Sequence, residues 1–566
     1  MAKAADRIGR SQVWQGGKVD EGLSWVRGAW EPPLLEWTIG EALDRAAARW
    51  GDAEALISVG QNVRWSWSDL AAKADAMAAG LLALGLEPGD RLGIWAPNCS
   101  EWALTQFAAA KVGLILTTIN PAHRASELEY TLAKTDMKAI VCAPRFRTSD
   151  YLAMVEAASA PALRRWIKIG GEPRPRWQEF EDIARLAASA DRRLAREIGE
   201  RLDCSQAINI QFTSGTTGLP KGACLSHRNI LNNGWFIGRA QHLEPGDRIC
   251  VPVPLYHCFG MVAGNLAGLT CGATVVYPAE GFDPEATLKA VEQERCTALY
   301  GVPTMFIAEL GCAQFDRFDL SSLRTGVMAG SPCPVHVMEQ VVKRMHMSGV
   351  TIAYGMTETS PVSFQSAVDD PLARRVSTIG RVQPHLEVKV IDADGGVTPR
   401  GQAGEFCTRG YSVMLGYWDD AERTAEVVDA DGWMHTGDIG TIDAEGYGNV
   451  VGRIKDMVIR GGENIYPREI EEFLYAHPQV ADVQVVGLPD ARMGEELCAW
   501  IILAAGERAE EEDIRAYCQG RIAHYKIPRY IRFVDEFPLT VSGKVQKFLI
   551  RERMIEALQL AAAATA

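Results

Sequence analysis

Apolar residues recur along the chain in two alternating patterns, one with helical spacing and one typical of buried strands. Residues 37–50 have helical spacing, with Thr38 as a candidate cap, whereas residues 63–67 alternate like a strand. Helices are also predicted over residues 68–84 and 100–112. The strand and helix patterns alternate to about residue 390, which favours parallel-rich sheets covered by helices. The sequence therefore predicts an α/β fold for a large N-terminal region.

The pattern changes near residue 386, where short strands are separated by turns that contain Asp and Gly. The turns D-A-D-G-G, D-A-D-G-W and D-A-E-G-Y, at 392–396, 429–433 and 443–447, predict hairpins in a small β-rich subdomain. Beyond this subdomain, helix and strand patterns predict a separate α+β unit. We therefore place an N-terminal domain over residues 1–454 and a small C-terminal domain over residues 455–566.

The composition excludes some classes of function. The chain has 566 residues, of which 47% are hydrophobic and 23% charged, and this is ordinary for a globular enzyme of two or more domains. The net charge of −14 argues against a general nucleic-acid-binding protein, although local donors could still bind a small phosphate ligand. We see neither a signal-peptide core nor a run of about 18 apolar residues, so no membrane span is expected.

The 13 cysteines are scattered, and none are spaced as C-x-x-C. A zinc site built on such pairs is therefore not indicated, and a disulfide framework is not expected in so long a chain. We interpret the cysteines as reduced and mostly buried thiols in a cytoplasmic protein.

Residues 212–222 read F-T-S-G-T-T-G-L-P-K-G and predict a phosphate-binding loop between two strands. The glycines let backbone amides approach a ligand, the hydroxyls donate hydrogen bonds, and Lys221 adds a charge suited to phosphate. The loop is not a Walker A motif, because Pro220 stands where the second glycine is required and Gly222 follows the lysine. The other candidate phosphate ligands are Thr213, Ser214, Gly215, Thr216, Thr217 and Gly218.

This loop and six further motifs follow one another in an order that resembles the adenylate-forming superfamily. The further motifs are W-S-W-S-D-L (65–70), P-L-Y-H-C-F-G (254–260), Y-G-M-T-E (354–358), H-T-G-D (435–438), G-R-I-K-D-M-V-I-R-G-G-E-N-I-Y-P (452–467) and S-G-K-V-Q-K (542–547). Because they span most of the chain, it is identified as a member of this superfamily, which includes acyl-CoA synthetases, aryl-CoA ligases, amino-acid adenylation domains and beetle luciferases.

The resemblance implies a two-step reaction that converts a carboxylic acid into a thioester. The carboxylate attacks the α-phosphate of ATP to give an acyl-adenylate and pyrophosphate, and the thiol of CoA then displaces AMP. The first transition state concentrates negative charge around phosphorus, so cations, hydrogen-bond donors and a metal are needed there. We therefore expect the protein to use ATP, CoA and Mg²⁺.

The resemblance also implies which residues bind the nucleotide. Thr357 would contact phosphate, and Glu358 would hold Mg²⁺, a hard cation that prefers carboxylate oxygen. The Asp438 carboxylate would accept hydrogen bonds from both ribose hydroxyls, and Arg453 would join it on the nucleotide. The remaining residues expected around the nucleotide are Gly330, Ser331, Tyr354, Gly355 and Met356.

Lys544, in the small C-terminal domain, is the predicted catalytic residue. By resemblance, it would bridge the substrate carboxylate and the α-phosphate and stabilise charge in the transition state. The small domain would then rotate about the hinge Lys455, so that Lys544 moves out and Gly461 and Gly462 line a tunnel for the pantetheine of CoA. Lys547 stands where the family often has Arg, a departure that concerns a supporting role.

The motif at 254–260 is expected to line the acyl pocket through His257, Phe259 and Gly260. No Asp stands between residues 251 and 264, so the ammonium group of an amino acid would lack an anchor. The glycine- and alanine-rich run 260–269 could leave room for an alkyl chain, and its context resembles medium-chain fatty acyl-CoA synthetases. We therefore expect a medium-chain fatty acid, with an aryl- or arylalkanoic acid as the alternative.

Three other classes of protein share parts of this pattern. A luciferase-like oxygenase would use the same adenylate but requires a special luciferin. A stand-alone adenylation enzyme would load a carrier protein, although no serine-bearing carrier domain is visible after residue 550. A non-catalytic nucleotide sensor is disfavoured by the joint presence of the charged residues of the site. The expected partners are thus a small carboxylic acid, ATP and CoA, and a homodimer stays open.

Overall fold

The computed structural model describes residues 22–213, 220–331, 333–461, 463–490, 492–541 and 543–560. The strands in these ranges are β1 Trp25–Arg27, β2 Glu54–Ser58, β3 Val63–Ser66, β4 Arg91–Trp95, β5 Ile115–Thr118, β6 Ala139–Cys142, β7 Arg145–Phe146, β8 Ser149–Asp150, β9 Arg165–Lys168, β10 Gln178–Glu179, β11 Ala207–Thr213, β12 Lys221–Ser226, β13 Arg248–Cys250, β14 Thr274–Tyr277, β15 Ala298–Gly301, β16 Thr325–Ala329, β17 Gly349–Gly355, β18 Val362–Gln365, β19 Arg381–Val382, β20 Leu386–Ile391, β21 Gly404–Gly410, β22 Gly416–Tyr417, β23 Met434–Ile442, β24 Gly448–Arg453, β25 Val458–Arg460, β26 Glu463–Ile465, β27 Val480–Asp490, β28 Gly494–Leu503 and β29 Tyr530–Phe533.

The α-helices in the same ranges are α1 Ile39–Trp50, α2 Trp67–Ala83, α3 Ser100–Lys111, α4 Ala125–Lys134, α5 Tyr151–Ala157, α6 Phe180–Ile183, α7 Ser189–Gly199, α8 His227–Ala240, α9 Ala267–Cys271, α10 Pro284–Glu294, α11 Pro303–Leu310, α12 Val335–Arg344, α13 Leu372–Ser377, α14 Ala421–Val427, α15 Pro467–Tyr475, α16 Glu511–Cys518 and α17 Lys547–Leu558. None of the described helices combines the length and apolar character needed to cross a membrane.

Two large sheets form the framework of the N-terminal region. One runs in the order β10-β9-β6-β4-β5-β11-β12-β22, and the other in the order β19-β18-β17-β16-β15-β13-β14-β2-β3. Their central strands pair in parallel, as β4 does with β5 and β6, whereas antiparallel pairs such as β11 with β12 lie toward one end of the first sheet and both ends of the second. Helices follow the strands along the chain. This confirms the predicted α/β fold with parallel-rich sheets.

Local capping explains where the predicted helices begin. The Ser66 hydroxyl accepts a hydrogen bond from the Asp69 amide, and the Asp69 carboxylate accepts one from the Ser66 amide, so α2 begins at Trp67. The Thr38 side chain caps α1 in the predicted way. Apolar faces of α1, α2 and α3 pack together, and Trp67 and Trp102 are buried in the same core.

A third, antiparallel sheet forms the small β-rich subdomain. Its order is β1-β20-β21-β23-β24. The turns between its strands contain Gly395, Gly432 and Gly446, which have φ values of 81°, 79° and 86°. A side chain is strained at such angles, so the Asp-x-x-Gly turns found in the sequence supply the residue that each turn requires. The prediction of a small subdomain built on hairpins is confirmed.

The C-terminal region is an α+β unit around the sheet β26-β25-β28-β27, with β29 pairing with β28. Helices α15, α16 and α17 pack on it through Ile470, Ile514 and Ile550, which are all buried. A 3₁₀ turn, Ile454–Asp456, connects β24 to this region and contains the predicted domain boundary. The C-terminal region therefore begins directly after Arg453, a predicted nucleotide ligand.

Candidate active site

The hairpin formed by β11 and β12 carries the ends of the predicted phosphate loop. Thr213 pairs directly with Lys221, and the Thr213 hydroxyl donates a 3.4 Å hydrogen bond to the Lys221 carbonyl. Lys221 is thus the first residue of β12, whereas the sequence placed it within the loop, because the strand pairing extends one residue further toward the turn. The predicted ligands Ser214, Gly215, Thr216, Thr217 and Gly218 lie outside the described residues.

Tyr417 connects Lys221 to Glu358. The Lys221 ammonium lies 5.0 Å from the centre of the Tyr417 ring, and the Tyr417 hydroxyl donates a 2.8 Å hydrogen bond to Glu358 Oε1. This arrangement follows from strand pairing, because β22 carries Tyr417 and pairs with β12. Glu358 itself is buried in the short turn Thr357–Thr359 that follows β17, and its carbonyl accepts a 2.9 Å hydrogen bond from the Met414 amide.

Tyr354, Asp438 and Arg453 form a second group of linked side chains. The Tyr354 hydroxyl donates a 2.8 Å hydrogen bond to Asp438 Oδ2, and Arg453 Nε lies 2.9 Å from Asp438 Oδ1. Asp438 on β23 is the direct pairing partner of Arg453 on β24. Burial and the adjacent Asp438 carboxylate raise the pKa of Tyr354 well above its usual value, so the phenol stays neutral and donates.

We call Tyr354, Glu358, Tyr417, Asp438 and Arg453 the nucleotide wall. Burial acts to lower the pKa of Arg453, but the Asp438 and Asp456 carboxylates outweigh that effect, and the pKa is raised. The guanidinium therefore stays charged beside a carboxylate that is buried. A cation and an anion held together in this way can contact both the phosphates and the sugar of one nucleotide.

The other predicted nucleotide residues lie in turns beside the wall. A Cβ at Gly355 would overlap the carbonyl oxygen of Pro361, so only glycine fits where β17 turns into the Glu358 segment. Met356 follows it and is partly buried. Gly330, with φ of 93°, and Ser331 form the bend after β16, where a left-handed conformation favours glycine.

A turn of the C-terminal region places Lys544 at this site. The Thr540 hydroxyl accepts a 3.0 Å hydrogen bond from the Lys544 amide, and Gly543, with φ of 79°, provides the turn. Thr304 on α11 donates a 3.1 Å hydrogen bond from its hydroxyl to the Gly543 carbonyl. A Cβ at Gly330 would lie 3.4 Å from Lys544 Cε, so the lysine side chain runs past a residue that was expected beside the nucleotide.

Charged residues remote in sequence lie within electrostatic range of Lys544. Burial lowers the pKa of Lys544, and the Arg453 guanidinium lowers it further. Cys258, Glu358 and Asp438 act in the opposite direction. Together with the passage of its side chain beside Gly330 and the hydrogen bond from Thr304 to its turn, this places Lys544 on the side of the site that carries both acidic residues of the nucleotide wall, in an arrangement suited to a ligand with several negative charges.

His257 and Cys258 lie against the same lysine. Burial lowers the pKa of His257 to about 3, and the Lys544 charge contributes, so His257 is neutral at pH 7. His257 Nδ1 accepts a 3.1 Å hydrogen bond from the Phe259 amide. The Cys258 sulfur lies 3.7 Å from the Thr357 hydroxyl oxygen. The geometry favours a role for His257 as part of the pocket wall. It also places Thr357 on the side of the site where Lys544 lies.

The predicted acyl segment is packed more tightly than the sequence indicated. Phe259–Leu266 forms a π-helix whose residues are all buried, and Phe259 stacks on Tyr300 at 6.0 Å. Gly260 packs against the Pro254 carbonyl, and a Cβ at Gly264 would lie 3.1 Å from Val251. These glycines therefore permit close backbone packing, and the inference that they leave room for an alkyl chain is wrong for these two positions.

The predicted hinge and CoA residues lie at the edge of the site. Lys455 is in the 3₁₀ turn between the two regions, and burial together with Arg453 lowers its pKa. Gly461 is in the turn between β25 and β26, has φ of 62°, and donates its amide to the Met493 carbonyl at 2.8 Å. Gly462 lies outside the described residues.

The donor set at Glu358 fits the magnesium ion that the sequence predicted. The side chain is an oxygen ligand on a buried turn, and the Tyr417 hydrogen bond uses only Oε1 of the carboxylate. Magnesium is commonly bound by one or two protein carboxylates together with water and substrate phosphates. A single glutamate beside a phosphate-binding hairpin is therefore an adequate protein contribution.

Two residues of the site escaped sequence reasoning. Tyr417 orients Glu358, and Thr304 holds the Lys544 turn. Cys258 lies in the motif that was expected to line the acyl pocket, but its contact with Thr357 was not expected. Tyr417 and Thr304 lie 59 and 239 positions from their partners, and no local pattern marks such a contact.

Comparison with known families accounts for this arrangement. A family model described as "AMP-binding enzyme" matches residues 43–418, and one described as "AMP-binding enzyme C-terminal domain" matches residues 469–544. The first model alone covers more than half of the chain. The two matches leave between them the segment that contains Asp438, Arg453 and Lys455.

Curated relatives match the chain over nearly its whole length. The chain is 45% identical to a putative acyl-CoA synthetase, YngI, of Bacillus subtilis (strain 168), covering 93% of this chain and 99% of the relative. It is 44% identical to the mitochondrial medium-chain acyl-CoA ligase ACSF2 of Danio rerio, covering 95% and 91%.

Solved structures resemble the fold over a similar extent. The anthranilate CoA ligase AuaEII in complex with anthranoyl-AMP has a TM-score of 0.84 and 26% identity, covering 93% of this chain and 99% of that chain. The ATP-bound MatB of Rhodopseudomonas palustris has a TM-score of 0.80 and 28% identity, covering 92% and 99%.

Proposed function

The chain belongs to the AMP-binding enzyme family, and from that premise we propose that it activates a medium-chain fatty acid with ATP and transfers the acyl group to CoA. The products are pyrophosphate, AMP and acyl-CoA. The observation that carries the proposal is the position of Lys544, which comes from the C-terminal region and faces Glu358 and Asp438 of the nucleotide wall.

In the first step, the nucleotide wall orients ATP, and Lys544 stabilises the charge that develops at the α-phosphate. Asp438 accepts hydrogen bonds from the ribose hydroxyls, while Tyr354 and Arg453 hold its carboxylate in place. The Lys544 ammonium contacts the attacking carboxylate and the α-phosphate together, which lowers the repulsion between two anions. Lys221 and Thr357 contact the outgoing phosphates.

Glu358 holds Mg²⁺ in this proposal, and the ion would neutralise charge on the phosphate oxygens. The Tyr417 hydroxyl orients the Glu358 carboxylate, and the Lys221 ammonium lies against the same ring. Tyr417 therefore sets the separation between the metal ligand and the phosphate-binding cation.

The second step requires a different surface of the C-terminal region. Rotation at the turn that contains Lys455 would withdraw Lys544 and present the Gly461–Gly462 turn to the thiol arm of CoA. The short connection at Ile454–Asp456 supports this, because it joins the two regions by a few residues. The rotation is proposed in addition to the overall reaction.

The choice of a medium-chain fatty acid is supported by the relatives and by the acyl segment. Several of the similar proteins bear the name medium-chain acyl-CoA ligase, at 42–44% identity. The segment around Phe259 offers apolar surface and neutral His257, with no carboxylate for an α-ammonium group between residues 251 and 264. An aryl acid is the second candidate, since the anthranilate CoA ligase is a structural neighbour at 26% identity.

The experiment is a panel of acids with three products measured in parallel. Pyrophosphate, AMP and thioester are followed with octanoate, palmitate, benzoate and a phenylalkanoate, and Lys544→Ala protein is the blank. We expect the highest kcat/KM for octanoate, with CoA as the acceptor. A preference for benzoate would overturn the alkyl assignment. Pyrophosphate without thioester would favour a carrier-protein acceptor, and no acid-dependent pyrophosphate would refute the enzyme.

A cytoplasmic location, expected from the sequence, completes the proposal. The oligomeric state stays open, and light scattering of the purified protein decides it: a single species at the mass of one 61.9 kDa chain would exclude a homodimer.

A further inference from the structure

A cluster of three chemically different side chains lies on one face of the β-rich subdomain. It consists of Glu405 and Cys407 on β21 and His435 on β23, and we call it the Glu–Cys–His cluster. Cys407 and His435 pair directly across the two strands, while Glu405 and Cys407 alternate to the same face. A shift in register between Glu405 and Cys407 brings the Glu405 carboxylate back toward His435.

The two distances from His435 match those between ligands on one metal ion, and all three donor atoms lie near one another. His435 Nδ1 lies 3.2 Å from Glu405 Oε2 and 3.6 Å from Cys407 Sγ, and the three donor atoms lie within 4.8 Å of one another. Tetrahedral zinc with ordinary bond lengths places nitrogen and oxygen ligands about 3.3 Å apart, and nitrogen and sulfur ligands about 3.5 Å apart. Small adjustments of the side chains would therefore suffice.

Neighbouring groups hold the ligand atoms in this orientation. Asp429 Oδ2 lies 3.8 Å from His435 Nε2, the ring nitrogen that does not face Cys407 and Glu405. At 3.8 Å the carboxylate does not hydrogen-bond the ring, but a small side-chain movement would bring it to the position typical of carboxylates beside metal-binding histidines, where it orients the ring and increases the basicity of the other nitrogen. The second oxygen of Glu405 accepts a 2.9 Å hydrogen bond from the Gly437 amide.

We propose that Glu405, Cys407 and His435 bind a divalent metal ion of the zinc class. A thiolate, an imidazole and a carboxylate suit zinc or cobalt and not magnesium, which prefers oxygen ligands alone. The His435 and Glu405 side chains are 32% and 19% exposed, so an ion can enter from solvent and keep water as its fourth ligand. Binding converts the Cys407 thiol to a thiolate and releases its proton to solvent.

Lys389 and Arg409 bring positive charge near the cluster, which opposes the metal, although Arg409 is paired with Glu387 at 3.0 Å. Lys389 on β20 pairs with Cys407, but its ammonium lies 4.4 Å from the centre of the Trp433 ring, which offers a cation an alternative partner. Asp429 and Glu405 supply two negative charges beside His435. The balance of charge around the cluster therefore still favours a divalent cation.

The cluster is connected to the nucleotide wall. Glu405 holds the amide of Gly437, and Asp438 is the next residue along β23. A metal that fixes Glu405 and His435 would also fix this segment, so we expect metal loading to change the KM for ATP. This consequence rests on the proposed function, whereas metal binding itself does not.

The test uses the full chain, freed of metal with a chelator and kept without nucleotide. Cobalt(II) is added as the probe, and we expect one ion per chain, a thiolate-to-cobalt charge-transfer band and the release of about one proton. Zinc should displace the cobalt and remove the band. Binding without the charge-transfer band, or no binding at all, would overturn the proposal.

Substitutions of single residues identify the side chains that bind the metal. Cys407→Ser should abolish the charge-transfer band and weaken zinc binding at least tenfold, and Asp429→Asn should weaken it by about tenfold. Cys204→Ser is the matched control, because the Cys204 thiol is also near a carboxylate, that of Glu36 at 3.2 Å, but belongs to no such cluster among the described residues. Equal loss in Cys204→Ser, or an unchanged band in Cys407→Ser, would refute the assignment even if the metal binds.

Discussion

The nucleotide wall and the Lys544 turn face each other across the site, but they are held in different ways. In the wall, functional side chains bond to other side chains: Tyr417 to Glu358, and Tyr354 to Asp438. The Lys544 turn is joined to the N-terminal region through its backbone, by the hydrogen bond from Thr304 to the Gly543 carbonyl and by packing against Val302.

This difference is what the proposed rotation of the C-terminal region requires. Buried, mutually bonded side chains lose several interactions at once when they move, so the wall is rigid. The Lys544 turn can separate without breaking the bonds within the wall, and burial already disfavours the charge of Lys544 at this position. A negatively charged ligand would relieve that cost, which couples closure of the C-terminal region to the nucleotide.

The largest expected effect comes from removing the Lys544 ammonium. Lys544→Ala should lower the rate of acyl-adenylate formation by about 10²–10³-fold, because one preorganised charge at the α-phosphate is lost. Thioester formation from a supplied acyl-adenylate should change by less than about threefold. ATP–pyrophosphate exchange and single-turnover transfer to CoA measure the two steps, and Lys544→Arg is the control that keeps the charge. Equal losses in both steps would contradict the division of roles.

Glu358→Gln should weaken metal binding at the nucleotide wall. We expect about a 100-fold loss of adenylation and a higher magnesium concentration at half-maximal rate, because a neutral amide replaces the carboxylate ligand. Tyr417→Phe removes only the hydrogen bond that orients Glu358 and should cost about tenfold. Both are measured by pyrophosphate release across a magnesium titration. If Tyr417→Phe left the magnesium dependence unchanged, the hydroxyl would not orient the ligand.

Two buried histidines of the N-terminal region and Asp482 of the C-terminal region should respond oppositely to acid. Burial lowers the pKa of His227 and His257 to about 3, so in the N-terminal region protonation favours unfolding as the pH falls below about 6.5, by about 1.4 kcal/mol per pH unit for each histidine. Burial raises the pKa of Asp482, in the C-terminal region, to about 6, so the folded state favours the neutral carboxyl. The free energy of unfolding that this carboxyl contributes is therefore lost as the pH rises from about 4 to about 6.

Hydrogen exchange, corrected for intrinsic rates and followed in each region between about pH 4 and about pH 6.5, measures this contrast. His227→Gln should flatten the pH dependence of the N-terminal region, and Asp482→Asn that of the C-terminal region. Parallel changes in both regions would mean that other groups dominate.

Tyr354→Phe should have a smaller effect confined to nucleotide binding. It removes the 2.8 Å hydrogen bond to Asp438 and leaves the ring in place. The expected result is a three- to tenfold rise in the KM for ATP with little change in kcat, since a hydrogen bond contributes about 0.5–1.5 kcal/mol. Steady-state kinetics at saturating acid and CoA give both values. A fall in kcat alone would place Tyr354 in the chemical step instead.

Thr304→Val should produce the smallest change and report on closure alone. Valine keeps the shape of threonine but cannot donate to the Gly543 carbonyl. We expect a two- to fivefold slower adenylation step and an unchanged or slightly faster transfer to CoA, because the Lys544 turn is held less often in place. Single-turnover measurements of the two steps give both rates. Thr287→Val on α10, which changes a buried threonine of another helix, serves as the stability control. Equal slowing of both steps by Thr304→Val would contradict a role in closure.

Sequence reasoning recovered the elements whose signals are local. Thr38 caps the helix that was predicted after it, and Gly395, Gly432 and Gly446 occupy the turns that need left-handed glycine. It failed where residues meet only through the packing of distant segments. The glycines of residues 260–269 were expected to leave room for an alkyl chain. Gly260 and Gly264 instead pack against the backbone and side chains of other segments, and no pattern along the chain reveals such contacts.

The sequence by itself determined the family, the order of the motifs and the identity of the charged groups, because these depend on residues that are near one another along the chain. Only the tertiary structure decided that Lys544 faces Glu358 and Asp438, that Tyr417 lies between Glu358 and Lys221, and that the Glu–Cys–His cluster forms across two strands. The physical reason is that such contacts depend on which strands pair and in which register, and burial of apolar faces sets that choice for the chain as a whole.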